Sequence, residues 1–179
     1  TSFKVLELIT ECVDLVADQA RERGIEIVIS GAERRADADR AKIKRVLLNL
    51  LTNAIKYNSD EGSIHCTLDA RDDPALPCSL VVQIQDTGPG ISPENQQHVF
   101  EKFYRVAETA QQVMGTGLGL SIARRIVEAH GCEMGLTSEL NVGTTFYFTL
   151  PAAHTHPRRE PPAAGRVRRR AHGISAKVQ

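Results

Sequence analysis

The feature of this sequence that most constrains the fold is residues 39–57, a segment with two chemically different faces. At about 100° per residue, Asn49, Asn53 and Lys56 form a narrow polar stripe. The aliphatic side chains fall on a broad arc opposite that stripe: Ile43, Val46, Leu47, Leu50, Leu51, Ala54 and Ile55. This spacing predicts an amphipathic helix whose apolar face covers a hydrophobic core.

The polar stripe of this helix has a chemistry that suits a ligand. Exposed Asn is a poorer helix former than Glu, Lys or Gln, so two Asn in register indicate a specific use. An Asn side-chain carbonyl is an oxygen ligand that Mg²⁺ accepts beside phosphates, and Lys56 offers a positive charge to a phosphate. Solvated amides on an ordinary amphipathic helix are the alternative, and the helix alone leaves both interpretations open.

Charge is unevenly distributed along the chain although the net charge is zero. Residues 1–150 carry 21 acidic and 15 basic side chains, whereas residues 151–179 carry 1 acidic and 7 basic ones. The C-terminal segment is rich in Pro and Arg and poor in aliphatic side chains, which predicts disorder. We therefore expect one domain, 1–152, and a solvated tail, 153–179, without the aromatic side chains that would favour nucleic-acid binding.

The cysteines and the hydropathy pattern indicate the compartment. Cys12, Cys66, Cys78 and Cys132 form no CxxC pair and no His/Cys cluster, so neither a zinc site nor a disulfide framework is predicted. We expect reduced thiols. No apolar run approaches the roughly 20 residues that span a bilayer, so we expect a cytoplasmic segment, which could also be the cytoplasmic part of a membrane-anchored sensor.

Hydrophobic periodicity predicts an α/β fold. Helical spacing covers residues 2–23, 39–57 and 115–130, and strand patterns cover residues 25–30, 63–70, 79–86, 132–138 and 144–150. These elements fit a two-layer α/β sandwich, with a mixed, mostly antiparallel sheet of about five strands packed against three helices. From residue 93 to residue 114 the pattern weakens into short helical pieces, and we expect this segment to be mobile.

Asp86 ends the predicted strand at residues 79–86, and its carboxylate is predicted to point inward. By two-residue alternation Asp86 shares a face with Leu80, Val82 and Ile84. A buried carboxylate needs a hydrogen-bonding partner, and the exocyclic amine of adenine is one such donor. Gly88 and Gly90 follow at once and would leave room for a flat base. The alternative is that Asp86 only caps the turn that follows it.

Two further motifs carry phosphate or charge chemistry. The run GTGLGL at residues 115–120 precedes a helix, so backbone N–H groups and the positive helix end suit phosphate. It matches neither the Rossmann nor the P-loop pattern, and a plain loop-to-helix junction is the alternative. In FEKFYR, residues 100–105, Phe100 and Phe103 would anchor the segment while Lys102 and Arg105 meet a triphosphate. Taken alone, that hexapeptide favours an ordinary amphipathic turn with a solvated basic face.

The order of the motifs resolves these alternatives. The Asn-bearing helix, DTGPGI, FEKFYR, GTGLGL and a final GTTF occur in that sequence. This closely resembles the catalytic ATP-binding domain of two-component sensor histidine kinases, which has the Bergerat fold. The same wider ATPase class holds type II topoisomerases, Hsp90 and mismatch-repair ATPases. The resemblance covers roughly residues 1–152.

The resemblance implies a role for each motif residue. Asn53 would hold Mg²⁺, Asp86 and Thr144 would meet the adenine, and residues 92–114 would form the ATP lid. Asn49, Lys56 and Arg105 would act in catalysis. The implied ATP-binding residues are Asn49, Asn53, Lys56, Tyr57, Asp86, Gly88, Gly90, Ile91, Lys102, Tyr104, Arg105, Gly115, Thr116, Gly117, Leu118, Gly119, Leu120 and Thr144.

Within the class, Asn49 favours a kinase. Hydrolytic relatives carry a water-activating Glu at this position, four before the metal-binding Asn, and an amide accepts no proton at neutral pH. We expect transfer of the γ-phosphoryl group of ATP to a histidine on a separate dimerising helical domain, and onward to a response regulator. We expect the isolated domain to be monomeric. An ATPase switch, a nucleotide-sensing module and a serine kinase are the alternatives.

Overall fold

A computed structural model describes residues 1–71, 77–104 and 117–153. The helices in these ranges are α1 (Val5–Glu22), α2 (Arg40–Lys56), α3 (Pro93–Gln96) and α4 (Gly119–Ala129). The strands are β1 (Ser2–Lys4), β2 (Glu26–Gly31), β3 (Arg35–Asp37), β4 (Ser63–Ala70), β5 (Leu80–Asp86), β6 (Met134–Glu139) and β7 (Gly143–Leu150). The predicted tail from residue 154 and most of the predicted lid lie outside the described residues. None of the described helices has the length and apolar character needed to cross a membrane.

The main sheet has five strands in the order β2-β4-β5-β7-β6. Among the strand pairs of the described residues, β2–β4 alone is parallel, and it is connected through α2, as a parallel crossover requires. The β4–β5, β5–β7 and β6–β7 pairs are antiparallel. The predicted mixed, mostly antiparallel sheet is confirmed.

The helices α1, α2 and α4 cover one face of this sheet. On β5 the buried side chains of Leu80, Val82, Ile84 and Asp86 alternate with more exposed ones, as the sequence predicts. The apolar face of α2 is buried at every predicted position. The chain is therefore a two-layer α/β sandwich, with its core between α2 and the central strands.

The N-terminus differs from the prediction of one helix over residues 2–23. β1 pairs with β3, with Phe3 opposite Ala36, and Ala36 also bridges to Ala152. α1 therefore begins at Val5, whose N–H donates to the Arg34 carbonyl at 2.9 Å. Phe3 lies at helical spacing from α1, but strand pairing is what buries it.

The cysteine prediction is wrong for one pair. Cys78 and Cys132 form a disulfide, with 5.8 Å between their Cα atoms and 54 positions between them in sequence. Cys12 and Cys66 are free and buried, and burial raises their pKa values to about 11 and about 12. The two cysteines are brought together by the tertiary fold and are far apart in sequence, so their spacing does not predict the disulfide. The expectation of four reduced thiols was therefore wrong.

Candidate functional site

Asp86 supplies a buried carboxylate in which one oxygen can still accept a hydrogen bond. Its Oδ1 accepts the N–H of Gly88 at 2.9 Å and the N–H of Thr144 at 3.3 Å. Within the described ranges no donor reaches Oδ2. Burial raises the pKa of this carboxyl, and the two N–H donors act in the opposite direction. The turn-capping and ligand-accepting interpretations are therefore compatible, because each uses a different oxygen.

The turn after Asp86 lies against the C-terminal end of α2. A Cβ atom at Gly88 would stand 2.5 Å from the Tyr57 carbonyl oxygen and 2.9 Å from Asp86 Oδ1. Gly90 has φ +75°, and a Cβ there would stand 2.1 Å from the Glu139 carbonyl oxygen. Both glycines are required by close backbone approach. They bring the end of β5 against α2 on one side and the β6–β7 hairpin on the other.

Thr144 lies beside Asp86 because the two residues are partners in the β5–β7 register. The Thr144 side chain is only 5% exposed, and its Oγ1 lies 2.8 Å from Ser138 Oγ. The N–H of Ile91, which ends the turn, donates to the same Ser138 hydroxyl at 2.8 Å. This end of the site therefore contains hydroxyl and carboxylate oxygens from three adjacent strands.

The polar face of α2 lies opposite the core, as predicted. Asn49, Asn53 and Lys56 are half-buried. The Asn49 Nδ2 donates to the carbonyl of Gly119 at 3.1 Å. Among the residues described, no hydrogen bond engages the Asn53 side chain, and Lys56 Nζ lies 5.6 Å from the centroid of the Tyr57 ring. Asn49 therefore fixes the neighbouring helix, while Asn53 keeps an amide oxygen for a ligand.

The glycine-rich segment ends at the start of α4. Gly115 and Thr116 lie outside the described residues; Gly117, Leu118 and Leu120 are half-buried. α4 begins at Gly119, later than the predicted residue 115, and no side chain caps its N-terminus at Leu118. Among the residues that the structure describes, no side chain accepts from the first N–H groups of α4, which keeps the predicted phosphate chemistry available.

The aromatic segment is anchored by one Phe and not by two. Phe100 packs edge-on against Phe146, with ring centroids 6.2 Å apart, and the Arg124 guanidinium lies 4.9 Å from the Phe100 ring centroid. Phe103 is 71% exposed, so the prediction that it anchors the segment is wrong. Its backbone instead donates to the Gly117 carbonyl at 3.0 Å, with φ +64° at Phe103.

The polar side chains of the aromatic segment differ in their surroundings. Lys102 is exposed, and Tyr104 donates its hydroxyl to Asn95 Oδ1 at 2.6 Å. Arg105, predicted to meet the triphosphate, lies outside the described residues. The contact between Phe103 and Gly117 brings this segment beside the glycine-rich one.

Sequence reasoning missed the side chains that hold the end of α2. The Arg23 guanidinium donates to the carbonyls of Ile55, Lys56 and Asn58, and the buried Asn58 amide donates to the Ser63 carbonyl at 3.1 Å. The sequence contains no pattern that indicates this role for Arg23, because basic residues are common at the ends of helices. For Ser138 the signal existed: a hairpin turning near residue 141 puts it opposite Thr144.

Residues 38–154 match the family model described as "Histidine kinase-, DNA gyrase B-, and HSP90-like ATPase". The matched range holds α2, the Asp86 turn, the start of α4 and the closing hairpin, which are the elements that build the site. The chain belongs to this family.

Relatives of this chain within the family include sensor kinases. It is 40% identical over 114 residues to the adaptive-response sensory kinase SasA of Prochlorococcus marinus, covering 64% of this chain and 29% of that protein. It is 33% identical over 151 residues to the histidine protein kinase DivJ of Caulobacter vibrioides, covering 83% of this chain and 24% of that protein. The chain thus spans less than a third of the length of these relatives.

Solved structures agree with this assignment. The mycobacterial sensor histidine kinase MprB matches with a TM-score of 0.72 and 28% identity, over 85% of this chain and 97% of that one. The catalytic domain of histidine kinase ThkA matches with a TM-score of 0.70 and 32% identity, over 84% and 96%. The domain is a histidine kinase catalytic domain with the Bergerat fold, as the motif order predicted.

Proposed function

We propose that this chain binds ATP with Mg²⁺ and transfers the γ-phosphoryl group to a histidine on a helical phosphoacceptor domain, within two-component signalling. The observation that supports this most strongly is the gathering of separate motifs along α2. Gly88 lies against Tyr57 at the end of α2, Asn49 bonds Gly119 at the start of α4, and Thr144 bonds Asp86. A nucleotide bound in this site would contact the Asp86 turn through its purine and the α2 and α4 motifs through its phosphates.

The purine would bind where Asp86 and Thr144 meet. The Asp86 Oδ2 is the acceptor that the described residues leave over, and an adenine amine is a matching donor. The expectation that Gly88 and Gly90 leave room for a flat base is not supported, because the space a side chain would fill at each is taken by backbone of Tyr57 and Glu139. The two glycines would instead hold the turn in place as one wall of the purine site. The cost of burying the carboxylate would be offset by the bound donor.

The phosphates would lie between α2 and the start of α4. The Asn53 amide oxygen fits Mg²⁺, which takes oxygen ligands and usually shares them with phosphates and water. No group of three His, Cys, Asp or Glu in the described ranges could hold a metal, so ion binding would depend on Asn53 and the nucleotide. When bound, Mg²⁺ would supply charge neutralisation on the phosphates. Lys56 and Arg105 would add positive charge.

Transfer to a partner is favoured over hydrolysis by Asn49. This amide cannot accept a proton, and its Nδ2 is engaged with the Gly119 carbonyl. The site therefore lacks a base for water at this position. A solved complex of ThkA with the response regulator TrrA matches this chain with a TM-score of 0.68 and 30% identity, over 86% of this chain and 42% of that one. That likeness supports a response regulator as the downstream partner.

The test combines binding with transfer. Calorimetric titration with a non-hydrolysable ATP analogue, with and without Mg²⁺, should show binding that Mg²⁺ strengthens in the wild type and not in Asn53→Ala. Thr52→Ala, an exposed neighbour on α2, is the matched control. With γ-labelled ATP and a histidine-bearing helical hairpin, the product should be acid-labile and base-stable. Phosphoserine, or free phosphate alone, would contradict the kinase proposal.

A further inference from the structure

We propose that Ser138 is a positioning residue that turns the hydroxyl hydrogen of Thr144 toward itself, so that the purine end of the site only accepts hydrogen bonds. The inference rests on the proposed nucleotide-binding function and deepens it. A site that offers only hydrogen-bond acceptors at this end favours purines with an amine at C6, as in adenine. It disfavours purines with a carbonyl at C6, as in hypoxanthine or guanine.

The argument starts from the three polar contacts of the Ser138 hydroxyl. Its Oγ lies 2.8 Å from the Ile91 nitrogen, 2.9 Å from the Gly143 carbonyl oxygen and 2.8 Å from Thr144 Oγ1. A serine hydroxyl has one hydrogen and two lone pairs. The three contacts therefore use its full capacity.

The chemistry of the partners assigns each hydrogen. The Gly143 carbonyl can only accept, so all three contacts are hydrogen bonds only in the arrangement in which the single hydrogen of Ser138 is directed to Gly143, and we assign that arrangement. The Ile91 N–H can only donate, so it occupies one lone pair of Ser138. The remaining lone pair faces Thr144, which must therefore donate its own hydroxyl hydrogen to Ser138. Thr144 Oγ1 then keeps only lone pairs for any other group.

The strand register puts this acceptor beside a second one. Ser138 pairs with Thr144 across β6 and β7, and Thr144 pairs with Asp86 across β7 and β5. Asp86 and Thr144 are 6% and 5% exposed, so bulk water does not readily supply donors or acceptors to correct a mismatched ligand. The oxygens of Asp86 and Thr144 at this end therefore both act as hydrogen-bond acceptors. A purine C6 carbonyl placed against them is also an acceptor, so these oxygens would lack a hydrogen-bond donor.

A second contact stabilises the arrangement. The Gln96 Nε2 donates to the Ile91 carbonyl at 2.7 Å and to the Ser138 carbonyl at 3.0 Å. The backbone of Ile91 is thus held at both its N–H and its C=O. These contacts keep the Ile91 N–H hydrogen-bonded to Ser138, so one lone pair of the Ser138 hydroxyl stays occupied and Thr144 donates to the other.

The test compares the affinities of adenosine and inosine diphosphates, which differ at the C6 group and at N1. We expect the wild type to prefer the adenosine nucleotide. In Ser138→Ala the Thr144 hydroxyl can rotate and donate to the C6 carbonyl, so the preference should fall by about tenfold, the equivalent of one hydrogen bond. Ser138→Thr, which keeps the hydroxyl, should restore it. Thr137→Ala removes an exposed hydroxyl from the adjacent position and should keep the wild-type ratio.

The ratio separates positioning from a purely structural role. If Ser138→Ala weakens both nucleotides equally, the inference is overturned, because lost anchoring of Ile91 would explain that result. If Ser138→Ala does not fold, Thr144→Val and Thr144→Ser take its place: the preference should fall in the first and persist in the second, and the reverse would overturn the inference. Absence of binding by either nucleotide to the wild type would refute the proposed function itself.

Discussion

The side-chain amide of Asn49 donates a hydrogen bond to the carbonyl of Gly119 at 3.1 Å, across 70 positions of sequence. This bond joins the middle of α2 to the first residue of α4. A Cβ atom at Gly119 would stand 3.5 Å from Asn49 Oδ1, so the amide and the helix start are in contact. The two halves of the proposed phosphate site are thereby held at a defined separation.

Asn49→Asp should weaken this connection without changing side-chain size. A carboxylate has no hydrogen to donate, and it would face the Gly119 carbonyl oxygen. We expect the free energy of unfolding to fall by about 1–3 kcal/mol and nucleotide affinity to fall with it. Denaturant unfolding and calorimetry measure the two effects. The exposed Thr52→Ala variant on the same helix should behave as wild type, and an unchanged Asn49→Asp variant would show that this bond carries no stability.

Asp86→Asn should separate binding from folding. The amide oxygen can still accept the N–H groups of Gly88 and Thr144, while an NH₂ group replaces the proposed acceptor for the purine amine. We expect adenosine nucleotide affinity to fall by roughly tenfold to a hundredfold, measured by calorimetry, with circular dichroism showing an intact fold. Full affinity in this variant would remove Asp86 from the proposed site.

The Asp86 carboxyl should also leave a signature in the dependence of stability on pH. Its pKa is higher in the folded chain than in the unfolded chain because burial disfavours the charge. Its contribution to stability is therefore complete below the unfolded pKa and is lost as pH rises through the raised folded pKa. Thermal melts should find Asp86→Asn at least as stable as wild type at pH 7, with the wild type gaining relative to the variant on acidification. A constant difference across pH would contradict the burial argument.

Patterns with a short period were readable from the sequence. The two-residue alternation on β5 predicted the inward Asp86, and the helical period on α2 separated the core face from Asn49, Asn53 and Lys56. Both are properties of a single element, so neighbouring residues carry the information. The two-layer sandwich followed from the order of such elements.

Features set by distant contacts were not readable. Phe103 was expected to be buried because it is aromatic, but its backbone bonds Gly117 and leaves the ring 71% exposed. Phe3 fits a helical pattern but pairs with Ala36 in a sheet. Local propensity cannot reveal such partners, since tertiary context overrides it.

Arg23→Ala should destabilise the end of α2. The guanidinium donates to the carbonyls of Ile55, Lys56 and Asn58, which lie at the helix terminus where intrahelical donors run out. We expect a loss of about 2 kcal/mol in the free energy of unfolding, from the unpaired carbonyls. Arg21→Ala is the matched control, because that side chain is 76% exposed and pairs with Asp18. Equal effects of the two variants would show that the terminal contacts add nothing.

Reduction of the Cys78–Cys132 disulfide should lower stability more than any of these substitutions. The bond closes a loop of 54 positions that contains the Asp86 turn and α4, and chain-entropy arguments assign such a loop about 4 kcal/mol. A dithiol reductant should therefore lower the Tm by roughly 10 °C. The Cys78→Ser/Cys132→Ser double variant should melt at the lower temperature with or without reductant. Thiol titration of the oxidised, folded chain should find Cys12 and Cys66 slow to react, because burial raises the pKa of each. If the reductant does not change the Tm, or if the chain unfolded without reductant has four reactive thiols, the disulfide is absent in solution.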